Sequence, residues 1–384
     1  MKLFQFIFCL VVISSILSCN KKVSEDAIFY TDFDGSKLTK VEKTGANKYT
    51  AYISPAFEPV NKSPWFAFGI SSKISKQIEL KLNYGKYKHR YIPKLSIDKK
   101  NWEKIDSQKI KIDTSTGIAT LKLNVSPQKL YVAAQEIESS EDTYLWMNQL
   151  LIKHPKINKI VAGKTVLNKN NYALEVDNDS IVNTIVLIAR QHPPEVPGGT
   201  IAFKAFYEKL LSNYKTANTF RSKFNIYTFP LLNPDGADMG NWRHNANGVD
   251  LNRDWVDFTQ PETQMVDKYL TYKTSQGKKI RFALDFHTSY SGPYLLILDS
   301  INEAKRNKVI PNWIPRIENN STFKVEARRR AQSLPYCYNY FFNKFGCEAV
   351  TYEEGDEVDR DLIIKRAQVY AHEFMATLNK SNNF

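Results

Sequence analysis

Ile181–Arg190 reads IVNTIVLIAR and runs directly into Gln191-His192-Pro193-Pro194-Glu195-Val196-Pro197-Gly198-Gly199. The run is aliphatic and β-branched with few breaks, the pattern of a strand buried inside a parallel or mixed sheet. Its polar continuation therefore sits at a strand end. His192 and Glu195 are separated by two residues, so a tight turn aims one imidazole and one carboxylate at a single point, which is half of a metal site. The plain alternative is an ordinary loop, and the downstream chain decides between the two.

Beyond this junction strands and helices alternate. Thr200 to Tyr214 carries apolar residues at helical spacing, FNIYTFPLL (224–232) reads as a strand, and Glu262 to Tyr272 as a helix. IRFALDF (280–286) and PYLLIL (293–298) follow as strands, then a helix from about Arg328 to Phe345, the strand EAVTYE (348–353), and a last helix from about Arg360 to Leu378. This order predicts an α/β domain: a mixed sheet flanked by helices, with its site at the carboxyl ends of the strands. His287 stands at such an end, in Asp285-Phe286-His287-Thr288-Ser289. With His192 and Glu195 it completes two histidines and a carboxylate, the ligand set of an open zinc site with room for water. Between them lies a loop-rich stretch with Asn233-Pro234-Asp235-Gly236, Trp242-Arg243-His244-Asn245 and Gly248-Val249-Asp250-Leu251-Asn252-Arg253-Asp254-Trp255. Long loops inside compact domains are usually functional. Its arginines suit a carboxylate or a developing oxyanion; the bland reading makes Asp250 and Arg253 members of a surface salt-bridge network.

Upstream the pattern changes. From about Ala27 to Met147, KYTAYIS, WFAFGIS, QIELKLNYG, RYIPKLSID, KIKID, IATLKLNV and KLYVAAQ alternate apolar with polar residues between turn formers, which predicts an antiparallel β-sandwich. The segment holds no cluster of ligands or nucleophiles and reads as a packing or binding module. Earlier still, one lysine precedes an apolar run from Leu3 to Leu17, then Ser18-Cys19. The run is shorter than the roughly twenty residues of a spanning helix and suits a secretory signal. The cysteine after a small residue resembles a bacterial lipoprotein signal, with Cys19 acylated; the alternatives are an ordinary signal peptide or an uncleaved anchor. The expected organisation is a signal at 1–18, a tether at 19–26, the sandwich at 27–150 and the catalytic domain at 151–384. The expected location is the cell envelope, anchored by lipid, and Asn20 suits an outer-membrane destination. Of four cysteines, Cys337 and Cys347 remain in the body of the fold, where they either pair or serve as small buried residues. The net charge of +13 comes from lysines spread along the chain, so it favours acidic partners in general and does not indicate nucleic acid. No feature sets an oligomeric state.

HPPE, NPDG, WRHN, GVDLNRDW, DFHTS and VTYEEG, in that order, resemble the zinc carboxypeptidase family M14, and within it the cytosolic-carboxypeptidase branch, whose members carry a β-sandwich before the catalytic domain. The resemblance implies one zinc per chain on His192, Glu195 and His287, with Glu353 as general base and Arg243 at the oxyanion. It implies Asn252 and Arg253 on the terminal carboxylate of a peptide or peptide-like substrate, and hydrolysis of a C-terminal peptide or isopeptide bond by activated water. Glu354 competes with Glu353 for the base, and strand alternation lets only one of them reach the metal.

The chain also departs from the family. Its substrate-capping tyrosine lies further before the base than Tyr336, Tyr338 and Tyr340, which fall in a predicted helix. Gly355-Asp356-Glu357-Val358-Asp359 is unusually acidic. Arg328-Arg329-Arg330 either lines a pocket for acidic C-terminal side chains or forms a solvated helix face. Two rival functions stand beside peptide hydrolysis: a zinc amide hydrolase for peptidoglycan stem peptides or N-acyl amino acids, and a non-catalytic glycan- or peptide-binding lipoprotein.

Overall fold

The computed structural model describes residues 26–59, 64–298 and 309–380. The signal and the lipidation site Cys19 lie outside the described residues. No described helix is long and apolar enough to cross a membrane.

The N-terminal part contains ten strands: β1 (Ile28–Tyr30), β2 (Lys40–Gly45), β3 (Lys48–Tyr52), β4 (Ala67–Ser71), β5 (Lys76–Asn83), β6 (Lys94–Ser96), β7 (Glu103–Lys104), β8 (Ile110–Asp113), β9 (Ile118–Val125) and β10 (Leu130–Ala133). They form two five-stranded sheets, ordered β1-β4-β10-β6-β7 and β2-β3-β5-β9-β8. Alternate residues from both sheets, among them Phe66, Phe68, Leu80 and Leu121, meet in one apolar cluster. Pairing is antiparallel except between β3 and β5, which run parallel. The expectation of purely antiparallel strands fails there because β4 lies between β3 and β5 in the chain and belongs to the other sheet, so the return to β5 is a crossover rather than a hairpin.

Helix α1 (Ser140–Lys153) follows, started by a capping box in which Ser139 and Asp142 satisfy each other's backbone N–H groups. Then come β11 (Asn158–Lys164), β12 (Asn170–Val176), β13 (Asn183–Ala189), α2 (Phe203–Leu211), α3 (Lys215–Arg221), β14 (Asn225–Phe229), α4 (Pro234–Asp238) and α5 (Pro261–Ser275). The chain closes with β15 (Lys279–Ser289), β16 (Tyr294–Leu298), α6 (Ile310–Asn320), β17 (Ala327–Arg330), α7 (Cys337–Phe345), β18 (Glu348–Gly355) and α8 (Arg360–Lys380). Eight strands make a mixed sheet ordered β11-β12-β14-β13-β15-β18-β16-β17, with β14, β13, β15 and β18 parallel at its centre. Period two divides β13 between two cores. Ile185, Leu187 and Ala189 pack with α2 and α8, while Val186 and Ile188 pack with α5 and α7. Helices thus cover both faces, as the unbroken apolar run of β13 requires. Phe286, Phe374 and the other buried aromatic side chains of the first core stabilise it by about 1.5–3 kcal/mol each.

One helix differs from expectation. Arg328–Arg330 lies in the edge strand β17, paired with β16, and the helix starts only at Cys337. Pro335 is the reason: a proline pushes the residue before it out of the helical region. The helix ends at Gly346, whose φ of +64° is the left-handed conformation glycine adopts without strain.

Candidate active site

The parallel strands bring the site together. Ala189 of β13 stands opposite Phe286 of β15, and His287 opposite Glu353 of β18. After β13 the backbone of Arg190 takes φ +56°, turning the chain out of the sheet so that His192 faces β15. Arg190 is itself buried and anchored to the Glu138 carbonyl, an unusual place for a cation, and burial pulls its pKa down to about 10. Gly198 then crosses His287 so closely that a Cβ would lie 1.6 Å from the His287 carbonyl oxygen, and its N–H donates to Thr288 Oγ1 at 2.8 Å. Only glycine permits this approach.

His192, Glu195 and His287 converge. His287 Nδ1 lies 2.7 Å from Glu195 Oε2 and 3.2 Å from His192 Nδ1, and His192 Nδ1 lies 2.7 Å from Glu195 Oε1. One ligand atom from each falls within 4.8 Å of the others. Both histidines use the opposite ring nitrogen for support. His192 Nε2 meets Asp250 Oδ1 at 3.0 Å, and His287 Nε2 meets Asp285 Oδ2 at 2.8 Å. A carboxylate behind each imidazole fixes the ring and leaves Nδ1 for a metal. Electrostatics favours a cation here. The two histidines hold the Glu195 carboxyl far below the usual range despite burial, and Asp285 and Glu195 raise His287 against its own burial. Two imidazoles and one carboxylate suit zinc, with a coordination position left open.

Glu353 faces the same cleft. Its Oε2 is buried without a hydrogen-bond partner, and burial, with Glu195 and Asp285 nearby, pushes the carboxyl up to about 8 against the opposing pull of His287 and Arg243. Glu354 points the other way, to Arg366 of α8 and the Tyr352 hydroxyl. The competition between the two glutamates is therefore decided by the strand's alternation. Arg243 donates from Nε to Asp250 Oδ2 at 2.5 Å. Asp250 is thus only 14% exposed and ties an imidazole, a guanidinium and the Asn252 N–H together, rather than joining a surface network. Asn252 is buried, its Oδ1 accepting from the Cys337 N–H at 2.9 Å, while Arg253 stacks over Tyr336 at 4.4 Å. Cys337 and Cys347 are free and buried, which closes the question of a disulfide between them.

The cleft around these groups encloses about 590 Å³ and is also lined by Arg330, Tyr336, Tyr338 and Thr351. Of the three successive arginines only Arg330 lines it; Arg328 pairs with Glu326 and Ser291. Tyr340 turns away to Asp267. Sequence reasoning missed Asp285 and Arg90. Asp285 was legible, since residues two apart on a strand share a face. Arg90, which also lines the cleft, comes from the N-terminal sheets and carried no signal.

Comparison with known proteins agrees with this geometry. The profile of the zinc carboxypeptidases matches residues 143–374. Cytosolic carboxypeptidase 6 of Caenorhabditis elegans is 24% identical over 317 residues, 76% of this chain and 69% of the relative. Human cytosolic carboxypeptidase 2 is 37% identical over 136 residues, 33% of this chain, and the match spans 14% of that protein. Among solved structures, a metallo-carboxypeptidase from Burkholderia cenocepacia superimposes with a TM-score of 0.75 at 18% identity, covering 92% of this chain and 98% of its own. One from Pseudomonas aeruginosa gives 0.74 at 19% with the same coverage. The fold, the His-Glu-His group and the profile match lead to one conclusion: this chain belongs to the zinc carboxypeptidase family.

Proposed function

We propose that this zinc metallocarboxypeptidase removes acidic residues from the carboxyl end of peptides at the bacterial cell envelope. The observation that carries the specificity is Arg330, which lines the cleft together with Arg253. A guanidinium recognises a carboxylate by paired hydrogen bonds, so an acidic side chain is the complement of that wall. Asn252 Nδ2 and Arg253 would hold the terminal carboxylate.

His192, Glu195 and His287 would hold zinc, which would supply an activated water at neutral pH and a Lewis acid for the scissile carbonyl. Glu353, whose Oε2 is buried and without a partner, would accept the proton of the attacking water and pass it to the leaving amine. Arg243, fixed by Asp250, donates to the oxygen on which negative charge develops. The envelope location rests on the Ser18-Cys19 pattern, with lipid on Cys19 as the anchor. The two N-terminal sheets, sharing one apolar cluster, are read as a sandwich spanning 27–150.

The test is made on the chain starting after Cys19. One zinc per chain, with release of Glu or Asp from a mixed peptide library, supports the reading. In Arg330→Glu the preference for Glu-ended over Leu-ended peptides should fall by about tenfold or more, as loss of a charged hydrogen bond requires. Equal relative rates in variant and wild type would remove the acidic specificity. Zinc without release from any peptide would instead favour stem peptides or N-acyl amino acids as substrates.

A further inference from the structure

Gln191, the residue before the first metal-binding histidine, is fully buried and does not line the cleft. Its side chain nevertheless joins two parts of the site. Nε2 donates to Asp285 Oδ2 at 2.7 Å, and Oε1 accepts from Trp255 Nε1 at 2.9 Å. The backbone takes part as well, the Gln191 carbonyl accepting from Asn233 Nδ2 at 3.0 Å. Asn233 and Trp255 belong to NPDG and GVDLNRDW, the segments that lie between Glu195 and His287 in the chain, so both are tied down at Gln191. Trp255 is itself firmly placed: it is 2% exposed, and its ring packs on Tyr340 at 5.0 Å.

The orientation of the amide follows from its neighbours. An indole N–H can only donate, so the atom facing Trp255 is the amide oxygen and the NH2 group faces Asp285. Asp285 Oδ2 also meets His287 Nε2 at 2.8 Å, and the two nitrogens that converge on this oxygen stand 3.4 Å apart. An ionised carboxylate can only accept, so Nε2 carries the ring proton and Nδ1 keeps the lone pair for a metal. We propose that Gln191 is a positioning residue of the metal site: it holds Asp285 against His287 Nε2, and Trp255 in turn holds Gln191. Asp285 is 2% exposed, so water does not replace a lost donor. Without the amide the carboxylate keeps one donor fewer and is free to leave the plane of the imidazole, and His287 loses the partner that fixes its rotation. The inference rests on zinc at His192, Glu195 and His287 and is independent of which peptide is cleaved.

The experiment measures zinc affinity by chelator competition, and the unfolding midpoint of the metal-free protein, on the chain starting after Cys19. Wild type, Gln191→Met, Asp285→Asn and the double variant are compared. Methionine keeps the length of glutamine and loses both side-chain hydrogen bonds. Gln191→Met should weaken zinc binding by about tenfold or more, the worth of a hydrogen bond to a charged group. In the Asp285→Asn background the same substitution should cost less than about twofold, because the group it acts through is already altered. A lower midpoint is expected in both backgrounds, so the dependence on Asp285 is what separates positioning from packing. Should Gln191→Met fail to fold, Trp255→Phe keeps an aromatic ring and removes the N–H; zinc binding should then weaken by about fivefold, the net worth of one neutral hydrogen bond. Zinc affinity within about twofold of wild type in the folded variant overturns the proposal, and so does an equal loss with and without the Asp285 carboxylate. A wild type that binds no zinc overturns the metal site itself.

Discussion

Asp250→Asn removes one charge at the point where the metal group and the oxyanion arginine are tied together. In the wild type one carboxyl serves three partners: His192 Nε2 at 3.0 Å, Arg243 Nε at 2.5 Å and the Asn252 N–H at 2.9 Å. The amide of the variant keeps the size of the carboxyl but has only one oxygen. It can accept from the imidazole or from the guanidinium, and must turn its NH2 toward the other. Loss of a carboxylate behind a metal-binding histidine weakens metal binding by about 10–100-fold, or ~1.4–2.7 kcal/mol. If instead the oxygen stays on His192, Arg243 loses its anchor, and a misplaced oxyanion donor costs about 10²–10³ in kcat. The two consequences are separable. Zinc affinity is measured by chelator competition and kcat at saturating zinc, and at least one must fall by the stated amount. Both values within twofold of wild type would refute the assignment of Asp250 as the support of His192 and Arg243.

Glu353→Gln should retain zinc while kcat drops by about 10²–10⁴, the range for loss of a positioned general base; metal loss in parallel with activity would point to a structural role instead. Gly198→Ala places a methyl group 1.6 Å from the His287 carbonyl oxygen, so the turn after Glu195 must shift away from β15. A lower unfolding midpoint together with weaker zinc binding is expected, and an unchanged zinc affinity would show that the turn can move without the ligands. His89 gives a pH effect. Burial depresses its folded pKa from 6.5 to about 4, so the unfolded chain binds more protons between those values and stability falls as the pH drops through that window. The loss amounts to about 2–3 kcal/mol, and His89→Gln should flatten the midpoint against pH between 4 and 6.5; a curve parallel to wild type excludes His89 as its source.

The fold was legible wherever one periodicity governed a whole element. β13, β15 and β18 read as strands because both faces of each are buried, and their carboxyl ends placed His192, His287 and Glu353 before any contact was known. Alternation let only one of Glu353 and Glu354 reach the metal, and the resemblance of VTYEEG to the family's motif singled out Glu353. The edges of the sheet were harder to read: β11 and β12 are half-polar and β17 is mostly arginine, so none carries the apolar signature of β13. α1 was passed over although Ser139 and Asp142 spell a capping box, since its apolar face is narrow. The supports of the site were least visible. Asp250 lies 58 residues along the chain from the histidine it supports, and Arg90 reaches the cleft from the loop after β5, whereas Asp285, two residues before His287, shares its face of the strand.

The acidic stretch after Glu353, which looked anomalous in the sequence, fastens the two parts of the chain. Glu357 pairs with Lys94, a lysine only 1% exposed, Asp356 holds Arg90, and Arg360 reaches back to Glu136 and Gln135. A chain cut down to the segment that matches the family would lose Arg90, Lys94, Gln135 and Glu136 together and leave Asp356, Glu357 and Arg360 facing water without these partners. The catalytic half is therefore not a portable module: fused to a foreign domain it would carry a sticky, polar scar beside its own base.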